Sequence, residues 1–169
     1  MGYSHYYSYN LSSPQFDRLW PKIVEDAGRI VARVQSAGIR LCNPLEGNPH
    51  FAGVEFVALN GTIEGVESLI IFRDVPATYW TQPRNGSLSG IVKTGRQPYD
   101  LAVTAVLLRC QMLLPHVFAI ASDGAWDEEW LYGATGPMPG GLGARTVVAE
   151  LFGNAPTTSP FDHKRALLL

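Results

Sequence analysis

Hydrophobic and polar positions change period several times along this chain of 169 residues. Over residues 3–9 they alternate, with Tyr3, His5, Tyr7 and Tyr9 on one side and Ser4, Tyr6 and Ser8 on the other. Period two and aromatic enrichment together predict a strand. Ser12-Ser13-Pro14 signals a helix start. Phe16, Leu19, Trp20, Ile23, Val24, Ala27, Ile30, Val31 and Val34 then form one apolar stripe at helical spacing, and Gly38 suits the stop. Pro21 either kinks this helix or marks where its regular part begins.

A Pro-, Asn- and Gly-rich loop is expected over 43–53. The runs 54–59 and 66–72 read as strands joined by a segment containing Asn60-Gly61, a strong hairpin dipeptide. Residues 74–90 look irregular and hold Tyr79 and Trp80. Pro98 opens a second helix running to about 114, where Pro115 closes it. A strand at 117–122 ends in Asp123-Gly124. A glycine-rich loop over 133–143 leads to a short helix at 144–152. This is the βαββαβ order of an α+β, ferredoxin-like fold: an antiparallel sheet, helices on one face, and an extra C-terminal helix. Residues 1–153 form a single domain with its first strand central, and 154–169 a polar, Pro/Thr-rich tail. From 101 to 114 the only strongly polar residues are Arg109 and Gln111. A helix apolar nearly all round must be covered on both sides, by the final helix and tail or by a second copy in a homodimer.

Composition adds mostly exclusions. A formal charge of −2 gives no global pull toward nucleic acid or an anionic membrane. No stretch is long and apolar enough to span a bilayer, and the N-terminus lacks secretory-signal features. Cys42 and Cys110 lie far apart without a CxxC pair and read as reduced thiols of a cytoplasmic protein. His50, His116 and His163 show no HxxxH or HExxH spacing, so no metal is expected. Gly140-Gly141-Leu142-Gly143-Ala144-Arg145 lacks the GxxxxGK[ST] pattern and reads as a flexible loop rather than a phosphate loop.

The densest polar stretch is Lys93-Thr94-Gly95-Arg96-Gln97-Pro98-Tyr99-Asp100, at the entrance of the second helix. Helix-start amides with two cations make an anion site; the plainer reading is a solvated turn in which Asp100 complements the helix dipole. His5, the only histidine inside a regular element, suits proton transfer if it faces a cleft within reach of Asp100 or Asp123. Otherwise it is a hydrogen-bonded histidine in an aromatic strand. Tyr6 or Tyr7 offers a phenolic donor, depending on which face is open. Ser122 has no nucleophile-elbow pattern around it and reads as part of a turn.

MGYSHYY, the segment from Lys93 to Val103, and Ala121-Ser122-Asp123-Gly124 resemble an uncharacterised family of small bacteriophage and actinobacterial proteins. Its members begin MGYTHYW and carry a KTxRxPYDLAV segment and an SSDG turn. The resemblance runs through most of the chain. It departs at Tyr7, which stands for tryptophan, in the stretch 43–53, and in a longer glycine-rich loop and tail. It implies that His5, Lys93, Arg96, Tyr99, Asp100 and Asp123 belong to one shared pattern, and it implies no particular activity.

Three functions follow as expectations. The first is a small cofactor-independent enzyme of isomerase, cyclase or lyase type, doing acid–base chemistry on a polar or anionic small molecule of specialised metabolism. There His5, Asp100, Asp123 and Tyr99 would be catalytic, with Lys93, Arg96, Tyr6, Tyr7 and Ser122 binding substrate. The second is a non-catalytic protein that sequesters a small molecule or nucleotide-like signal. The third is an interaction protein whose aromatic strand and apolar helix are dimer surfaces.

Overall fold

The computed structural model describes residues 2–43, 53, 55–62, 67–134 and 141–169. His50 and most of the loops predicted over 43–53 and 133–143 lie outside them. The alternating opening is strand β1, Ser4–Asn10, followed by helix α1, Pro14–Ser36, which runs on through Pro21. Strands β2, Phe56–Leu59, and β3, Leu69–Phe72, pair antiparallel. Then come β4, Ser87–Lys93, helix α2, Asp100–Leu113, and β5, Phe118–Ser122. Three helices close the chain: α3, Glu129–Tyr132, α4, Ala144–Phe152, and α5, His163–Ala166.

The architecture is α+β with antiparallel sheets, but the sheet is split. β1 is central in the order β4-β1-β5, and β2-β3 forms a separate pair. The additional strand β4 occupies part of the region expected to be irregular. Its entry is the two-residue turn Asn85-Gly86, with φ of 50° and 78°, between Arg84 and Ser87, which exchange both backbone hydrogen bonds. Positive φ at both central positions matches the twist of a hairpin, and Asn-Gly supplies it cheaply. Asn60-Gly61, by contrast, is no tight hairpin turn: Asn60 pairs with Cys42 through both backbone bonds.

The tyrosines of β1 span the split. Tyr7 donates its hydroxyl to the Ile70 carbonyl at 2.9 Å, and the Phe72 amide donates to the Tyr9 hydroxyl at 2.9 Å. Phenol groups thus satisfy backbone groups of β3 that a neighbouring strand would otherwise satisfy. To reach Ile70, the Tyr7 ring crosses Gly90, where a Cβ would lie 2.4 Å from it. Only glycine leaves that room.

Side chains at Tyr3, His5, Tyr7 and Tyr9 face the helices, and the three tyrosines are in the core. Helix α2 is covered by α1, α4 and β5 of the same chain, which meets the need its apolarity created. Its one interior cation, Arg109, bonds the buried Asp26 of α1 at 2.7 Å and lies 4.1 Å from the Phe152 ring centre. The helices are not confined to one face. α5 packs on the opposite side, against Ala119, Ala121 and Tyr6, with the Ser8 hydroxyl donating to the Arg165 carbonyl at 2.6 Å. No described helix is long and apolar enough to cross a membrane.

Candidate functional site

Three of the sequence-predicted residues meet at the start of β1. His5 Nδ1 lies 2.9 Å from Ser122 Oγ, and Nε2 lies 2.6 Å from Asp100 Oδ1. The proton assignment follows from counting donors. Ser122 Oγ already accepts from Trp130 Nε1 at 3.0 Å and from the Gly124 amide at 2.9 Å, so its own proton goes to Nδ1. His5 is then protonated on Nε2 and donates to Asp100, which also accepts from the Thr94 hydroxyl. The residue types match a Ser-His-Asp triad, but the access does not. His5 is 0% exposed and Ser122 has no free lone pair for a ligand. None of the clefts described below is lined by His5, Asp100 or Ser122. The histidine faces the helix layer rather than the open side of β1. What the shared motifs bring together here is a saturated polar network inside the core.

Asp123 belongs to the other face. Its carboxylate accepts from the Ser4 amide at 2.9 Å and the Tyr6 hydroxyl at 3.1 Å, away from His5. Tyr99 is buried and donates to the Glu67 carbonyl at 2.6 Å, as Tyr7 does to Ile70. Burial raises both hydroxyls well above the ordinary phenol value, and for Tyr99 the carboxylates of Asp100 and Glu67 push the same way. Both stay protonated as scaffold donors.

The entrance of α2 is not an open anion site. The amides of Asp100, Leu101, Ala102 and Val103 already donate to the carbonyls of Gln97, Pro98 and Tyr99. Gly95 and Arg96 make a turn with φ of 59° and 61°, closed by the Gln97 amide on the Thr94 carbonyl. The Arg96 guanidinium lies 4.1 Å from the Tyr3 ring centre and 3.1 Å from Glu129 Oε1. Partial burial pushes the Glu129 carboxyl up, but the Ala125 amide, its own amide and Arg96 outweigh this and hold it below the usual value. The Lys93 side chain is exposed, while its amide bonds the Glu67 carboxylate at 2.8 Å. Among the described residues no three His, Cys, Asp or Glu side chains gather as metal ligands.

The opposite end of the sheet carries a cleft of about 850 Å³ between β4, the Asn85-Gly86 turn and the C-terminal segment. Arg84, His116, Lys164 and Arg165 line it with serine, asparagine and glutamine groups, and among the described residues no Asp or Glu side chain does. Residues 167–169 form one wall. Arg165 donates to the Pro115 carbonyl at 3.2 Å, whereas Arg84 and Lys164 have no ion pair among the described residues. Sequence reasoning missed this site. His163-Lys164-Arg165 was visible as a basic triplet, but only the folding of the tail onto β1 brings it opposite Arg84. No family model, curated protein or solved structure matches this chain.

Proposed function

We propose that the protein is a non-catalytic binding protein that sequesters an anionic small molecule in the cleft between β4 and the C-terminal segment. One observation carries this reading: two arginines, a lysine and a histidine line a cleft of about 850 Å³, with no carboxylate side chain among its described lining residues. Like charges held together, with no Asp or Glu side chain among the described lining residues, favour an anion that neutralises them. The volume is in the range of small-molecule sites, and the hydroxyl and amide groups supply orientation. A cofactor-independent acid–base enzyme built on His5 is less well supported, because a substrate could not reach that ring without opening the core. The reading sets the protein in the cytoplasm, in keeping with the unpaired thiols of Cys42 and Cys110.

Calorimetric titration with inorganic tripolyphosphate at low salt tests it. Saturable binding is expected, weakening with ionic strength and falling roughly tenfold or more in Lys164→Ala and Arg84→Ala, as the loss of a charge-assisted contact requires. No saturable heat in the unmodified protein, or binding indifferent to both substitutions, overturns the assignment.

A further inference from the structure

Resting on that reading, we propose that the ligand is a nucleoside phosphate whose phosphates sit among Arg84, Lys164 and Arg165 while its base lies on Trp80. The cationic cleft does not end at β4. A second cleft of about 220 Å³, lined by Tyr79, Trp80 and Ile91 among others, shares Thr81 and Ser89 with the first. A charged chamber and an aromatic surface therefore adjoin across two residues.

Trp80 stands apart from the other tryptophans. It is 85% exposed, whereas Trp20, Trp126 and Trp130 are at 6% or below. Its ring is propped by Tyr79 at 5.6 Å between centroids, and Tyr79 is itself packed edge-on against Phe72 at 4.7 Å. An indole held from behind and open in front is a stacking platform, and any nucleobase presents a π-face to it. Between platform and cations, the two hydroxyl-bearing residues Thr81 and Ser89 line both clefts, where a sugar joining base to phosphate would lie. The order aromatic ring, hydroxyl-bearing residues, cation cluster matches the order base, sugar, phosphate.

Fluorescence and calorimetric titrations with ATP, GTP, CTP, UTP, inorganic tripolyphosphate and adenosine test the proposal. At least one nucleoside triphosphate is expected to bind about tenfold tighter than tripolyphosphate, the increment of one stacked base, and to quench tryptophan emission. Trp80→Ala, at an exposed position, should remove both the quenching and the tenfold gain, leave tripolyphosphate binding unchanged, and be partly rescued by Trp80→Phe. If tripolyphosphate binds and every nucleotide merely equals it, with no effect of Trp80→Ala, the nucleoside is wrong and the anion site stands. If tripolyphosphate and all nucleotides fail to bind, both readings fall.

Discussion

At the scale of single residues, His5 is held in one tautomer by Ser122 on one nitrogen and Asp100 on the other, wholly inside the core. Removing the ring takes a donor from the buried Asp100 side chain, leaving only Thr94 for support, and it leaves the Ser122 hydroxyl without its acceptor; buried polar groups left short of partners are costly. His5→Ala is therefore expected to lower unfolding free energy by about 1–3 kcal/mol in urea titrations, while leaving tripolyphosphate affinity unchanged. A loss below about 1 kcal/mol would mean that the network contributes little. The two thiols should differ as sharply. Cys110 is buried and pushed up to about 12, mainly by burial, so a thiol reagent should modify it only as fast as the protein opens, with half-buried Cys42 reacting first. The alternation in residues 3–9 placed His5 correctly beside Tyr3 and Tyr7. Whether that side faced a cleft or a core was not legible, because the partners that seal it, Thr94, Ser122 and Trp130, come from three distant segments.

At the scale of elements, α1, α2, β5 and α4 were legible within a few residues, since each carries either its own periodicity or an unbroken apolar run between clear stops. β4 was not. Its inward positions are Leu88, Gly90 and Val92, and a glycine after Ser-Leu-Ser breaks the alternation of a strand and reads as loop. That glycine is where the Tyr7 ring crosses, so the residue that hides the strand is the one the packing demands. Gly90→Ala should cost about 1–3 kcal/mol by overpacking, and Tyr7→Ala should relieve most of that increment. A double-mutant cycle by chemical denaturation reads this coupling, and additivity of the two losses would contradict the crossing. The hairpin dipeptide was equally instructive. Both Asn-Gly pairs have the right composition, yet only Asn85-Gly86 has flanking residues that pair with each other, because Leu59, which precedes Asn60, pairs with Leu69 instead. The tail helix α5 and the cleft it walls were illegible for a related reason: four residues carry no periodicity, and their position depends on the face of the sheet left uncovered.

At the scale of the molecule, buried groups that resist ionisation shape the response to alkali. The Cys110 thiol ionises near 9 in an unfolded chain but near 12 when folded. Between those values the unfolded state binds fewer protons, so stability is intact below about pH 9 and declines as pH rises further. Tyr7 and Tyr9, also raised by burial, steepen the decline above about 10, the ordinary phenol value. Melting temperatures should hold steady near neutrality and fall above pH 9, less steeply in Cys110→Ala; a flat profile through this range would contradict the burial of these groups. The split between the sheets has a consequence of another kind. Unmatched strand edges recruit neighbouring chains, and β3 carries the apolar run Leu69-Ile70-Ile71-Phe72. In the native fold this edge is shielded from within by two phenol hydroxyls rather than by a strand. Fibril formation, where conditions provoke it, should therefore start at this run, and Tyr7→Phe with Tyr9→Phe should hasten it even at temperatures where the fold survives.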